Sequence, residues 1–542
     1  MRMKITTYVI IVFFLSVISF HFTACSDGKT EEHKAERPDT IPQPTKNDIT
    51  IRGNFSDQRS LKFDKKIIDA FLSRYPKLRS YKKDIDTFYA KRNFAFAWYD
   101  NNGLIEQAAN LYNRMENISE EGLPDSIPYK DAFTDLMKND ALDSTNTANE
   151  FTELMLTAQY FIYARTVWSG LDAKRMKSLD WFLPRKTVSY NQLLDSLLTG
   201  KNILDTAPVY RQYALLRAQL KKYKDIESKG GFPTIKADKK TYKQGDSSAT
   251  IATIRKFLFV TGDLSNDNNS AIFDTTLTIA VKNFQHRYGE KEDGVIGSAI
   301  LKKMNIPISK LIQQIIVNME RCRWVPVNLV SNYVVVNIPA YKLYVYENDT
   351  VAFSMNVVVG QPAHKTVIFN GTIKYIVFSP YWNVPSGILK NEVLPGIRKN
   401  SNYLASHNME WNGGAVRQKP GPNNSLGLVK FLFPNSYDIY LHDTPSKSLF
   451  GETNRAFSHG CIRISQPQKF AEYLLRHDSS WTTEKIVAAM NSGKEQYVTL
   501  KETVPVFIAY FTTWVSKDGK INFRDDVYGR DKRLADMIFS KK

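Results

Sequence analysis

The chain has 542 residues, too many for one ordinary hydrophobic core, so about two to four domains are expected. Apolar residues make up 43% and charged residues 24%, a globular balance that excludes wholesale disorder, a collagen-like repeat and a polytopic membrane protein. Lys and Arg number 73 against 55 Asp and Glu, a net charge of +18 that suits an acidic polymer or surface as partner.

The first residues follow the plan of a secretory signal. Met1-Arg2-Met3-Lys4 is basic, Tyr8 to Phe20 is apolar, and Thr23-Ala24-Cys25 offers small residues at a cut. Phe22-Thr23-Ala24-Cys25 resembles a bacterial lipoprotein signal that would place a lipid on Cys25, with Phe22 where Leu is usual. An uncleaved anchor is the alternative, since Ile5 to Ala24 is 20 residues, about the length that crosses a bilayer. Either reading predicts a membrane-tethered protein on the periplasmic side of the cell envelope, where nucleic acid is scarce and is not the expected partner. Residues 26–60 are polar, carry Pro38, Pro42 and Pro44, lack apolar periodicity and read as a flexible tether.

From 61 to 228 the pattern is helical. Phe151, Leu154, Met155, Ala158 and Ile162 recur at helix spacing, and Gly170 is a stop. Ser80-Tyr81-Lys82-Lys83 fits S-x-x-K, but no K-T-G or S-D-N accompanies it, so chance explains it. The segment predicts a helical scaffold domain. Lys229 to Lys243, with Gly230-Gly231 and Pro233, reads as a linker. Residues 244–306 predict a small three-helix bundle with two Gly turns. Ala280-Val281-Lys282-Asn283-Phe284-Gln285 followed by Asp293-Gly294-Val295-Ile296-Gly297 resembles the peptidoglycan-binding domain of many wall enzymes; the resemblance implies wall binding.

From Tyr333 the texture is β. Tyr333 to Ile338, Lys342 to Glu347, Val351 to Val359, Lys374 to Phe378, Val429 to Phe433 and Tyr437 to His442 are β-branched and aromatic runs broken by turns. A helix opens with a capping-box pattern at Ser465-Gln466-Pro467-Gln468, and a second covers about Thr483 to Met490. Val504 to Val515 and Lys520 to Phe523, joined through Asp518-Gly519, predict a C-terminal β extension over 493–542. The fold class expected is α+β and multidomain, with a mainly β catalytic domain over 332–492 and flanking helices.

None of the 8 histidines precedes a Glu, and the chain has no C-x-x-C, no Walker A, no G-x-G-x-x-G and no G-x-S-x-G, so H-E-x-x-H metalloprotease chemistry and those other motif chemistries are out. One constellation remains. Ser458-His459-Gly460-Cys461-Ile462-Arg463 follows Tyr440-Leu441-His442-Asp443, with Cys461 19 positions after His442. A thiol nucleophile needs a base, and imidazole suits that task near neutral pH. His442 ends one expected strand and Cys461 precedes another, so neighbouring strands would bring the two together. Gly460 lets N–H groups beside Cys461 form an oxyanion hole, and Arg463 offers a clamp for a carboxylate. A buried inert thiol, a disulfide between Cys461 and Cys322, and a His/Cys metal site are the competing readings.

The SHGCIR segment preceded by His442 resembles the active-site motif of the L,D-transpeptidases, cysteine enzymes that cross-link peptidoglycan. Asn318 to Trp324, Pro380-Tyr381-Trp382-Asn383-Val384-Pro385, His442-Asp443-Thr444-Pro445 with Leu449-Phe450, Tyr528-Gly529-Arg530-Asp531 and Phe88 to Arg92 with Trp98 are similar to its large scaffolded branch, although Cys322 stands where that branch usually has Trp. The resemblance implies Cys461 as nucleophile and His442 as base and acid. It also implies that His459 and Gly460 shape the oxyanion site, and that Arg463 and Ser458 serve as substrate-side neighbours. Residues 386–427 resemble that branch's substrate-capping lid, in which Gly413-Gly414 and Gly421-Pro422 are candidate hinges. The implied partners are two peptidoglycan stem peptides, donor and acceptor. The implied reaction is a 3–3 cross-link formed through a thioester with loss of D-Ala, and the resemblance implies that no metal or nucleotide cofactor is needed. Hydrolysis of the same thioester, by a carboxypeptidase or wall amidase, stays open. A papain-like enzyme would place its Cys before its His, and a non-enzymatic wall anchor would not require SHGC.

Overall fold

The computed structural model describes residues 61–100, 102–142, 147–198, 208–326, 331–348 and 350–539; the signal and tether expected over 1–60, with Cys25, lie outside the described residues. Among the described residues no helix is long and apolar enough to cross a membrane. The fold is α+β. Helices build one large hydrophobic core, and a large sheet with helices packed on it builds a second.

The helical core is centred on Glu150–Tyr163, whose residues from Thr152 to Tyr163 are all buried. Asn149 caps it by accepting the N–H groups of Phe151 and Thr152, which satisfies two otherwise orphaned donors. Helices Ala249–Thr261, Thr275–Tyr288 and Ser298–Met304 form the bundle expected over 244–306, with Ser248 and Asp274 as side-chain caps. The segment read as a linker is packed instead. Ile235 and Tyr242 are buried, the Ile235 N–H donates to Asn305 Oδ1, and Tyr242 bridges Ile296. A single apolar cluster runs from Phe63 to Cys322 and takes in Val515, Ile521 and Phe523 of a terminal hairpin. Composition alone could not foresee that a Gly- and Lys-rich stretch would anchor two apolar side chains in a neighbouring core.

The large sheet has nine strands: β1 Asn332–Asn337, β2 Lys342–Glu347, β3 Thr350–Gly360, β4 Asn370–Phe378, β5 Val429–Leu432, β6 Leu441–His442, β7 Ala456–Ser458, β8 Ile462–Ile464 and β9 Gln496–Ala509. Their spatial order is β7-β3-β8-β6-β5-β4-β9-β1-β2, and β2 also pairs with β3, which closes the sheet on itself. Helices Pro467–Leu475 and Thr483–Met490 contribute Phe470, Leu474, Ile486 and Met490 to its core.

Three expectations are corrected here. The first of those helices has Gln466 as its N-cap residue and makes no side-chain cap bond; Pro467 at its first position sets the start. The stretch 493–542 is not a β extension, because β9 lies between β4 and β1 inside the sheet, and the chain continues to a helix, Arg530–Phe539. Tyr437 to Tyr440 is not strand. Asp438 takes φ +53, and the Asn435 side-chain oxygen accepts the N–H groups of Tyr437 and Ile439, a local Asx arrangement that competes with sheet pairing.

One helix, Ile308–Trp324, serves both cores: Leu311, Ile315, Met319 and Cys322 face the helical core, while Val317 and Trp324 face the sheet. Glu320 on this helix accepts the Leu171 N–H and the Trp324 indole N–H and pairs with Arg323 at 2.6 Å. Arg323 donates in turn to the carbonyls of Val167 and Glu121 and to the Tyr213 hydroxyl. Removing one partner of a buried pair leaves an uncompensated charge, which costs about 3–5 kcal/mol. Glu320→Ala should therefore lower the urea midpoint of unfolding far more than substitution of an exposed pair such as Lys532–Asp536. Equal midpoints in the two variants would refute the role given to Glu320.

Candidate active site

Strand register builds the site. β6 and β8 run parallel, with Leu441 opposite Ile462 and His442 opposite Arg463. Leu441, Ile462 and Ile464 lie in the sheet core, so alternation turns Tyr440, His442, Cys461 and Arg463 to the other face. The same register sets Tyr440, not His442, beside Cys461; the Ile462 N–H donates to the Tyr440 carbonyl at 3.1 Å. His442 sits one diagonal step away, about 8 Å between Cα atoms from the strand rise and spacing.

The Cys461 thiol donates to the Asp438 carbonyl at 3.5 Å, and Tyr440 hydrogen-bonds the sulfur from its backbone and its hydroxyl. Burial pushes the thiol above the ordinary 9.0, and the Tyr440 hydrogen bonds pull it partly back. His442 is buried, and burial together with the Arg463 guanidinium pushes it down to about 3. Its Nδ1 lies 2.5 Å from the Asp443 carbonyl. A carbonyl only accepts, so the ring hydrogen sits on Nδ1 and Nε2 is the basic atom; the Leu426 carbonyl also faces the ring. Among the described residues no hydrogen bond joins His442 to Cys461. Both shifts run toward the uncharged forms, a neutral thiol and a neutral imidazole on one sheet face.

The remaining residues of the motif divide by direction. Ser458 is buried, donates to the Cys461 carbonyl at 2.6 Å and accepts the Gly460 N–H at 3.1 Å, so its hydroxyl ties the turn and is not turned to substrate. Gly460 has φ +117, a conformation that side chains resist. The His459 ring is half exposed, stacks loosely on His364 with centroids 5.1 Å apart, and lies 3.4 Å from Glu392 Oε1. Its place is at the boundary with the 386–427 insertion. Arg463 is half-buried, and its Nε is itself buried without a hydrogen-bond partner. Cys322 is buried and unpaired, and burial pushes it up to about 12; Cys461 is unpaired as well.

The insertion is ordered. Trp382–Asn383, Ala415–Gln418 and Met409–Asn412 form a three-stranded sheet, and Val384, Val393 and Val416 make a small core beneath Trp382, Ile388 and Tyr403. Gly413-Gly414 is the two-residue turn of its hairpin, with Asn412 paired to Ala415, and not a hinge. Tyr440 and the Asp438 carbonyl are the site residues that sequence reasoning missed. Tyr440 carries a signal, because it stands two residues before His442 in the run that the sequence reads as strand; although it lies just outside β6, its carbonyl continues the pairing with Ile462 and leaves it on the face of His442. Asp438 carries none, since its part is played by a backbone carbonyl in a left-handed turn. Among the described residues no group of three His, Cys, Asp or Glu side chains could hold a metal ion.

Residues 331–506 match the L,D-transpeptidase catalytic domain, residues 83–220 match a family described as "Scaffold domain", and residues 249–304 match one described as "Putative peptidoglycan binding domain". The chain thus contains an L,D-transpeptidase catalytic domain and a peptidoglycan-binding domain beside its helical N-terminal region. It is similar to a Haemophilus influenzae protein named "Putative L,D-transpeptidase", at 31% identity over 255 residues. That alignment covers 43% of this chain and 51% of the relative, so the chain spans about half of the relative's length. Among solved structures, an L,D-transpeptidase from Stackebrandtia nassauensis is 14% identical, covering 51% of this chain and 96% of that one at a TM-score of 0.22. One from Mycobacterium smegmatis is 16% identical, covering 33% and 58% at a TM-score of 0.19. Likeness at those TM-scores supports no conclusion about this chain.

The thiol chemistry is measurable without substrate. Alkylation of Cys461 by iodoacetamide should rise with pH along a titration above 9.0, without an inflection near the ordinary histidine value. Tyr440→Phe removes a hydrogen bond that stabilises the thiolate, so its titration should move higher still. Cys322 should stay unlabelled in the native protein. A titration at or below neutral pH for the wild type would show that Cys461 is held as a thiolate and would overturn the upward shift.

Proposed function

We propose that this protein is an exported peptidoglycan L,D-transpeptidase that forms 3–3 cross-links through a thioester on Cys461. The observation that carries the reading is the single sheet face shared by Cys461, Tyr440, His442 and Arg463 inside a domain that matches the L,D-transpeptidase catalytic family. The peptidoglycan-binding domain and the net charge of +18 favour an anionic wall polymer. The basic and apolar run before Cys25 supports export with a membrane tether.

In the first half-reaction the Cys461 sulfur attacks the carbonyl between the third stem residue, a diamino acid, and D-Ala. The thiol is neutral at rest, so its proton passes to His442 Nε2 as the C–S bond forms. His442 then hands that proton to the departing amine of D-Ala, leaving the thioester. The Gly460 N–H is engaged by Ser458 Oγ, so the oxyanion falls to the N–H of Cys461 itself. The Arg463 guanidinium, on the same sheet face as His442, offers its charge to a stem carboxylate. In the second half-reaction the side-chain amine of another stem's third residue attacks the thioester. Its proton returns through His442 to the sulfur, and the product is a 3–3 link.

Incubation of soluble protein with disaccharide-tetrapeptide, followed by mass spectrometry, tests this. The expected product is a dimer lighter than two substrates by one D-Ala. Tripeptide alone, even with concentrated acceptor, would make the protein a carboxypeptidase. Cys461→Ala should form neither product while Cys322→Ala remains active, and His442→Ala should lose ~10²–10⁴ in rate. D-Ala release by Cys461→Ala would overturn the nucleophile assignment.

A further inference from the structure

The segment Asp526 to Arg530 takes no part in the steps above, yet it reaches the nucleophile turn. The Tyr528 hydroxyl donates to the Gly360 carbonyl at 2.6 Å and accepts the Thr366 N–H at 3.2 Å. The Thr366 hydroxyl accepts the Gly360 N–H at 2.9 Å and donates to the Gly460 carbonyl at 2.8 Å. Thr366 is fully buried and Tyr528 nearly so. Tyr528 is itself held, since its N–H donates to the Tyr510 hydroxyl, which donates to Asp526, and the two rings stack with centroids 5.7 Å apart. Asp526 also accepts the first N–H groups of the final helix, at Arg530 and Asp531. The hydrogen-bond chain thus runs from a helix start to the peptide that precedes the nucleophile.

Two glycines lie along this chain of contacts. A Cβ on Gly360 would sit 2.1 Å from the His364 carbonyl oxygen and 2.8 Å from the Thr366 nitrogen, so only glycine lets the strand end close on Thr366. Gly460, at φ +117, has no side chain to restrict its flanking peptide planes. The Gly460–Cys461 peptide is planar and trans. When Thr366 holds the Gly460 carbonyl inward, the Cys461 N–H must point the opposite way, out of the buried network. Buried Tyr and Thr hydroxyls ordinarily do no more than satisfy one another. Here the last bond of the network ends on the one peptide plane whose N–H belongs to the nucleophile.

We propose that Thr366 and Tyr528 are positioning residues for acyl transfer at Cys461: they fix the Gly460–Cys461 peptide plane so that the Cys461 N–H meets the oxyanion formed on the attacked carbonyl. The proposal rests on the thioester reading of Cys461. It assigns to the Tyr528-Gly529-Arg530-Asp531 motif a part in the reaction, with Tyr528 acting through Thr366 and neither side chain touching substrate.

Two probes separate this role from a structural one. Acylation of Cys461 by p-nitrophenyl acetate passes through an oxyanion, whereas alkylation by iodoacetamide displaces iodide at a saturated carbon and forms none. Thr366→Val keeps the shape and removes the hydroxyl. It should slow acylation and the kcat of D-Ala release by about 10²–10³, the cost of losing one oxyanion donor, with KM and the iodoacetamide rate near wild type. Thr366→Ser should restore most of the rate, and Tyr528→Phe should show a smaller loss of the same kind. If Thr366→Val does not fold, Tyr528→Phe, which keeps the ring stack, carries the comparison. Wild-type acylation in a folded Thr366→Val, or alkylation that falls in parallel with acylation, would overturn the proposal. A wild-type protein that is acylated by the ester but releases no D-Ala would refute the peptidoglycan reading and leave this inference standing on the ester data.

Discussion

Glu320 is a carboxylate with almost no solvent contact, and three donors from two regions of the chain converge on it. A buried charge of this kind is tolerated only when it is fully hydrogen-bonded. The Leu171 N–H, the Trp324 indole and Arg323 must therefore stay where they are. Through Arg323 the constraint extends to the carbonyls of Val167 and Glu121 and to Tyr213. The helix that carries Glu320 packs into the scaffold core on one side and the sheet core on the other. The scaffold is therefore an integral support of the catalytic sheet.

The bundle that matches a peptidoglycan-binding family is joined to the rest in the same manner. Arg287 forms a buried pair with Asp263 and donates to the Ile521 carbonyl of the terminal hairpin, and Arg524 of that hairpin donates back to the Arg287 carbonyl. Arg524 also closes over Gly289, where a Cβ would meet its guanidinium. A wall-binding module fixed in this way presents any bound polymer in one orientation relative to the sheet. On the proposed reading, the entropic cost of bringing a stem to Cys461 is then met in part at folding, before substrate arrives.

At the site the protein keeps charge low. Burial disfavours the thiolate and the imidazolium alike, while Arg463 adds to the pressure against a protonated His442. On the proposed reading of Cys461, proton transfer and attack then coincide, so the reactive state arises with substrate in place. Tyr440 and the Asp438 carbonyl hold the sulfur in the meantime. The left-handed turn at Asp438 exists because Asn435 occupies the backbone donors that would otherwise extend β6.

By itself the sequence was enough for the α+β class, the helical scaffold, the three-helix bundle and the SHGC motif after His442. Those features are local: apolar period, turn residues and motif spacing are set by neighbours along the chain. It also showed which residue types could do cysteine chemistry, and it led to the expectation that His442 partners Cys461, although each of the two hydrogen-bonds a backbone carbonyl instead. What it could not determine is register. A parallel pairing two residues long, between segments separated by a loop, has no local signature, and its register set Tyr440 beside the thiol and His442 diagonal to it. The same holds for the packed stretch through Ile235 and Tyr242, for β9 between β4 and β1, and for Tyr528 against Gly360. Each depends on buried polar groups and apolar faces finding partners more than 50 residues away. Only the closed tertiary structure decides which of the many possible partners satisfies them.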